Sequence, residues 1–467
     1  MSNHLQRKYG LFTAICLVVG TVIGSGVFFK AQTVLQKTGG DMPLGIVAWL
    51  IGGAIMLACL MTFSFMAQKY ERVNGVVDYA EATVGKDYGY MIGWFTTVIY
   101  YPSLTSALSW LSARYLLVFL TNAGMPMAAG SSPVAGPECM VLALLFLAVS
   151  YGVNALSPKL AGKVQTSATV IKLIPLGLMA VVGIIYGLVN GTLTQNFVTP
   201  AQVDGVSSSP LFAAVCATSF AYEGWIIATS INAELKDSKK NLPRALIGGG
   251  FVIMAVYIFY YLGVAGGATN AQLIQDGAQV AFINIFGNVL GNILNLFIAV
   301  SCLGTLNGLM LGTSRGMYSL ASRGRGPAKA MFAKVDEATD MPNNSAVFAL
   351  LLSAVWLAYF YFANLWSFPV EGGGTGSLAG KPFMFDSTEL PVITIYMMYA
   401  PIFFQWMRKE KDQNLMRRFL MPILAICGAV FMVIACIFSH GMSCLWYVVL
   451  FAVVMIIGWL LDVPNRK

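Results

Sequence analysis

Twelve stretches of this chain are long enough to cross a lipid bilayer and carry almost no charge within them. They run over residues 11–37, 43–67, 88–121, 139–156, 163–189, 210–233, 244–267, 282–321, 343–363, 388–406, 418–438 and 443–461. A helix rises about 1.5 Å per residue, so roughly 20 apolar residues span the ~30 Å hydrocarbon core. The only other way to hide these segments is a large soluble interior. The chain is 57% hydrophobic and 10% charged, against about 25% charged in soluble domains, so the bilayer must serve as that interior. The segments show no two-residue alternation, which excludes a membrane barrel. The expected fold is an all-α membrane protein of twelve transmembrane helices. The first, third and eighth segments are longer than a simple span, so tilt or a break is expected there.

Charge sets the orientation. Of the 28 Lys and Arg residues, 22 fall at the termini or in alternate connections. Arg7 and Lys8 precede the first segment. Lys69, Arg72 and Lys86 follow the second, and Lys159 and Lys163 follow the fourth. Lys236, Lys239, Lys240 and Arg244 follow the sixth. Arg323, Arg325, Lys329 and Lys334 follow the eighth. Arg408, Lys409, Lys411, Arg417 and Arg418 follow the tenth, and Arg466 and Lys467 end the chain. The opposite loops hold chiefly Lys381. The positive-inside rule makes the basic face cytoplasmic, so both termini are expected inside a bacterial-type inner (plasma) membrane. The same scatter argues against a nucleic-acid patch. The first segment lacks a small-residue cleavage site and reads as a retained helix rather than a signal peptide. The eight cysteines fall mostly within apolar runs and show no CxxC spacing, so they read as packing residues, with no metal site expected. The Gly-rich loop over 371–381 is expected outside and without regular structure. No P-loop or other nucleotide site occurs, and no cofactor is expected.

Two segments carry chemistry. The first reads Val19-Gly20-Thr21-Val22-Ile23-Gly24-Ser25-Gly26-Val27-Phe28. Glycines at mid-membrane depth weaken a helix by roughly 1 kcal/mol each, and an unwound turn there would offer free amides and a helix N-terminus to a carboxylate. Close helix packing through Gly20 and Gly24 is the other reading of the same residues. The sixth segment reads Thr218-Ser219-Phe220-Ala221-Tyr222-Glu223-Gly224-Trp225, with Glu223 at a depth where a carboxylate costs a few kcal/mol unless paired or solvated. Interruptions at positions one and six are what an inverted five-plus-five repeat requires, with a ligand between the breaks. The repeats are expected over 1–190 and 191–412, with two added helices over 413–467. Lys172, on the fifth segment, is the second deep charge, about 13 Å along the helix from Lys163. It reads as a structural tether, as a proton carrier, or as the partner of Glu223.

These motifs, with Lys163-Val164-Gln165, Glu234-Leu235-Lys236, Asn241-Leu242-Pro243-Arg244, Ser301-Cys302-Leu303-Gly304-Thr305-Leu306-Asn307-Gly308 and Ser314-Arg315, resemble the amino acid–polyamine–organocation superfamily and its L-type amino acid transporter branch, over nearly the whole chain. The resemblance implies a LeuT-like fold with helices 1 and 6 unwound, sodium-independent transport and obligate exchange. It implies that Gly24, Ser25 and Gly26 bind the substrate carboxylate. The carbonyls of Val22, Phe220 and Glu223 would meet the ammonium, with Ala221 beside them. Phe220 is implied as the gate, with Trp225 packed under it or simply in the core. Lys172 is implied to replace a sodium ion and to link helices one, five and eight. Two departures stand out: Glu223 replaces a common Gly or Asp, and Ile226 replaces an Asn. Animal members of the branch bond to a glycoprotein through a cysteine, but no obligatory protein subunit is expected here, although Cys139 lies at the edge of helix four.

The expected function is amino acid transport by alternating access, with neutral and cationic L-amino acids as substrates. An acid at 223 repels acidic side chains and accepts Lys, Arg or ornithine. A proton-coupled carrier of polyamines, amines or cationic amino acids is the runner-up; it leaves the helix-one anion site unused. A membrane enzyme would need a catalytic constellation, and the two histidines, His4 and His440, lie near span ends. Nothing suggests a channel. Arg114 and Arg315 read as interfacial anchors, and Glu389 as a solvated residue at the start of helix ten.

Overall fold

The computed structural model describes residues 10–24, 26–70, 75–128, 131–156, 167–168, 171–201, 209–228, 235–337, 339, 341–370, 374–378 and 381–465, and it is almost wholly helical. In chain order come α1 (Leu11–Val22), α2 (Gly26–Lys37), α3 (Met42–Lys69), the short α4 (Val76–Thr83), α5 (Lys86–Asn122), α6 (Pro137–Ala155) and α7 (Ile171–Val189). Then follow α8 (Pro210–Ala221), the single turn α9 (Trp225–Ala228), α10 (Ser238–Gly267), the short α11 (Asn270–Asp276), α12 (Ala278–Ser322), α13 (Asn343–Leu365), α14 (Leu390–Lys409), α15 (Met416–His440) and α16 (Met442–Asn465). Ten of these are long and apolar enough to cross a membrane, and α1 with α2 makes an eleventh, bent by 44°. The sixth segment is described as α8 and α9; residues 229–234 lie outside the described residues, as do Ser25, Arg7, Lys8, Arg72, Lys159, Lys163, Val164, Gln165, Glu234, Arg466 and Lys467. Side chains such as Val449, Val453, Ile456 and Leu460 on α16 are exposed, the arrangement of a helix whose solvent is lipid.

The helices sort into two compact units. One takes Met1–Ile92, Leu176–Ile285 and Val392–Ala435; the other takes Gly93–Pro175, Phe286–Pro391 and Cys436–Lys467. Each draws on both sides of residue 190. In the first unit α1, α3, α8 and α10 make the core, with Trp49, Tyr222 and Tyr257 edge to face at 5.6 Å centroid spacings around Trp49. α11 is closed by a capping box between Thr269 and Gln272, and its last turn accepts Gln32 and Gln36 Nε2 of α2 at 2.9 Å on the Ile274 carbonyl.

Irregularities in the second unit have local causes. α5 contains a π-helical turn over Thr96–Tyr100, just before Pro102. A proline lacks the N–H for the carbonyl four residues back and clashes with it. That carbonyl belongs to Val98, and Trp356 Nε1 of α13 donates to it at 3.0 Å. The expected break in the eighth segment is at Gly287, whose φ of 76° and ψ of 171° interrupt α12. At the C-terminus of α16 the buried Asp462 would oppose the helix dipole. Arg325 compensates it, with Nε 3.0 Å from Oδ1 and Nη2 2.5 Å from Oδ2, and the Gly326 amide adds a third donor at 3.0 Å.

Three expectations are corrected. Glu389 is not solvated but 3% exposed, because His440 at the end of α15 packs on its carboxylate, with Nε2 3.3 Å from Oε2. The Gly-rich loop is not structureless: Ser367–Val370 (β1) pairs antiparallel with Gly374–Ser377 (β2), so the chain reverses as a hairpin. Lys172 is not the only deep lysine, since Lys30 is 2% exposed. All eight cysteines are free thiols. Replacing Asp462 with Ala strands Arg325 in a buried site, and thermal unfolding of the purified protein in detergent should register a loss of on the order of 2–3 kcal/mol; Arg325→Met combined with Asp462→Leu should recover most of it.

Candidate functional site

Two breaks in the first unit lie against each other. α1 stops at Val22; Ile23 turns extended, with φ −67° and ψ 100°, after its amide reaches Val19 O at 2.8 Å. Gly24 is buried, and α2 resumes at Gly26. α8 stops at Ala221, where the Tyr222 amide makes the last turn bond to Thr218 O at 3.1 Å. Glu223 and Gly224 are non-helical, and Gly224 sits at φ +104°, a conformation that glycine alone adopts freely. Glycine is also demanded by proximity. A methyl on Gly224 would lie 2.6 Å from the Thr21 carbonyl oxygen, and one on Gly26 would lie 2.6 Å from Ala221 Cα. The two interrupted backbones therefore touch, with no side chain between them at these points.

A broken helix leaves amides and carbonyls without intrahelical partners, which apolar surroundings do not tolerate. Tyr257 of α10 meets part of that demand. Its hydroxyl lies 3.0 Å from Val22 O and 2.9 Å from Ala221 O, so its one proton is shared between a freed carbonyl of each broken helix. Tyr222 reaches Trp49 O at 2.9 Å and fixes the end of α8 on α3. Nothing in the sequence around Tyr257 marks it for this role.

Glu223 is 5% exposed. Its carboxylate is hydrogen-bonded to Tyr396 of α14 and lies near Cys59 of α3. Trp225 is fully buried, donates from Nε1 to Tyr396 Oη at 3.3 Å, and is packed among Phe63, Tyr396 and Tyr399. Phe220 is 7% exposed. Lys30, one helical turn past Gly26, places Nζ 5.5 Å from the Phe220 ring and 5.2 Å from Phe29. The site thus joins Val22, Gly24, Gly26, Phe220, Ala221, Glu223 and Trp225 within one unit, while Ser25 lies outside the described residues. Lys30 was missed because it follows Phe28-Phe29 at the end of an apolar run, where a lysine reads as an interfacial anchor.

Lys172 belongs to the second unit. It is fully buried on α7, beside Cys302 of α12. Ala168, one turn back, sits where a side chain on Gly304 would be. The neighbouring Ser301 carries a buried hydroxyl with no partner among the described residues. Further along α12, Asn307 O and Oδ1 accept Asn154 Nδ2 of α6 at 3.2 and 2.9 Å. Lys172 is thus held between the fifth and eighth segments.

Comparison with known proteins bears on this arrangement. Residues 9–461 match the family model described as amino acid permease. The serine/threonine exchanger SteT of Bacillus subtilis is 30% identical over 95% of this chain and 94% of its own. The mouse b(0,+)-type amino acid transporter 1 is 24% identical over 96% and 86%. The mouse large neutral amino acids transporter small subunit 2 is 25% identical over 72% of this chain and 62% of that protein.

The break geometry gives graded outcomes. Gly224→Ala, strained in φ and pressed on Thr21 O, should abolish recovery of monodisperse protein. Tyr257→Phe strips a donor from two buried carbonyls and should lower stability by about 1–3 kcal/mol, read by thermal unfolding in detergent.

Proposed function

The chain belongs to the amino acid permease family, and on that premise we propose that it exchanges neutral and cationic L-amino acids across the inner membrane without sodium. It is a multi-pass transporter of amino acids, not an enzyme. The observation that carries the finer reading is the pair of facing breaks. The amides of Gly24 and Gly26, with that of Ser25 assigned beside them from the sequence alone, suit a carboxylate through hydrogen bonding and the positive end of α2. Carbonyls of Val22, Phe220 and Glu223, with Ala221 alongside, suit an ammonium. Both groups are common to every α-amino acid, so the breaks select the class and the remaining pocket selects the side chain.

Charge near the breaks sets side-chain preference. Glu223 disfavours acidic side chains and favours neutral and cationic ones. Lys30 beside Phe220 opposes it, which favours neutral substrates over strongly cationic ones. We assign Phe220 as the moving part of the gate and Trp225, locked among aromatic rings, as its fixed support. We assign Lys172 as the cation that stands in the place of a metal ion. The name of the serine/threonine exchanger supports exchange, and that of the large neutral amino acids transporter supports neutral substrates. The buried acid at 223 favours a second reading, a proton-coupled carrier of cationic amino acids or amines.

The twelve-span architecture with two inverted five-helix repeats is part of this proposal. α8 with α9 makes the twelfth span. Support comes from how the compact units are drawn. The broken first span, α3 and the short α4 fall in the first unit, as do the broken sixth span, α10 and the short α11. α5 passes from the first unit to the second after Ile92, and α12 does so after Ile285. α7 returns to the first unit after Pro175, and α14 does so after Pro391. The same order of elements thus occurs twice, and an odd repeat of five spans inverts the second copy. Basic connections place both termini in the cytoplasm. No obligatory protein subunit is part of this proposal.

The test is counterflow into proteoliposomes preloaded with each amino acid or polyamine in turn, at two pH values and with sodium replaced by choline. Sodium-independent exchange of neutral and cationic amino acids is expected. Accumulation of polyamines alone, or uptake that needs sodium, would contradict the reading. Glu223→Gln should reduce cationic uptake about tenfold more than neutral uptake, and equal losses would remove Glu223 from selection. Lys172→Ala should lower flux at least tenfold in protein that still elutes as a single species; wild-type flux would remove it from the mechanism.

A further inference from the structure

Far along the chain from the breaks, the second unit holds three metal-ligating side chains that the transport reading leaves unused. Asp386 and Glu389 sit in the turn that opens α14, and His440 ends α15. One ligand atom from each lies within 4.8 Å of the other two. Among the described residues no other group of three or more His, Cys, Asp and Glu side chains meets that geometry. We propose that Asp386, Glu389 and His440 form a binding site for a divalent transition cation of the zinc class.

Three observations carry it. First, the spacing fits. Bonds of about 2.0–2.1 Å in a tetrahedral site put neighbouring ligand atoms roughly 3.3–3.5 Å apart, and His440 Nε2 lies 3.3 Å from Glu389 Oε2. Second, the charges need compensation. Glu389 is 3% exposed and the His440 side chain 13%. Two carboxylates and one imidazole converge there, a donor set whose burial a bound cation would offset. Third, donor atoms remain for a ligand. Asp386 Oδ1 is spent on its own turn, where it accepts the Thr388 amide at 2.7 Å, the Thr388 hydroxyl at 2.6 Å and the Glu389 amide at 3.0 Å. No protein hydrogen bond reaches its Oδ2 among the described residues, and the fully buried Ser387 hydroxyl in the same turn also lacks a partner among them.

The ligand set names the metal. Imidazole with carboxylates suits zinc, cobalt or nickel, whereas calcium and magnesium prefer oxygen alone. Three protein ligands leave a fourth position for water, the pattern of open rather than closed zinc sites. Bound there, the cation would tie the start of α14 to the turn between α15 and α16. With the orientation proposed above, that turn faces away from the basic cytoplasmic loops, so external metal would reach it. Cys436 and Cys444 flank His440, with sulfurs 3.6 Å apart, and form the competing site.

The experiment uses the full-length protein in detergent after chelator treatment, with zinc or cobalt chloride added alone. Zinc should raise the thermal midpoint by several degrees. His440→Gln and Glu389→Gln should each abolish the shift, and the Cys436→Ser/Cys444→Ser pair should retain it. Cobalt should give visible d–d absorption without a thiolate charge-transfer band, a readout on wild-type protein that does not depend on any variant folding. No shift with zinc, a shift that survives His440→Gln, or a thiolate band that vanishes with the cysteine pair would overturn the assignment. None of these outcomes depends on which amino acid is transported.

Discussion

Inside a bilayer every backbone amide and carbonyl must find a partner within the protein, and the rest of this structure follows from that demand. It forces the chain into helices, and it makes any interruption conspicuous. α1 and α8 are interrupted at the same place, backbone against backbone, with Gly26 on Ala221 and Gly224 on Thr21. Two interruptions in contact share their remedy. A single hydroxyl, that of Tyr257, serves the loosened carbonyls of both. What it does not serve is what we propose a ligand with an anionic and a cationic end meets.

Side chains around the breaks are arranged by charge rather than by shape alone. Glu223 is turned toward Tyr396 and Cys59, and Trp225 is immobilised beside it. Lys30 lies on the opposite sequence flank, against Phe220. A buried acid and a buried base thus lie close to the breaks, a pairing that suits the zwitterionic cargo we propose. Cation–π contact of Lys30 with Phe220, worth about 1–2 kcal/mol when desolvated, would also hold that ring in one rotamer, which fits the gating role we propose for it.

Much of this was legible in the sequence, for physical reasons. Apolar length reports helices able to cross a membrane, of which ten, or eleven with the bent pair, are found among the described residues against twelve expected, and glycine at mid-span reports a break, so 20–28 and 218–225 were readable as interruptions. The expected irregularities in the third and eighth segments correspond to the π turn before Pro102 and to Gly287. Proximity between distant residues was not legible. Tyr257 is one aromatic residue in an apolar run. Glu389 and His440 are 51 positions apart and meet only once α14 and α15 fold. The 371–381 loop misled because three glycines carry no strand signal, yet a hairpin forms where β1 finds β2.

Hydrogen–deuterium exchange at the two breaks tests the central claim most directly. The account predicts that amides at 24–27 and 223–225 exchange much faster than those in the middle of α3 or α10, and that a transported amino acid slows them selectively. Amides at both places as protected as mid-helix positions, and indifferent to every amino acid tried, would contradict it.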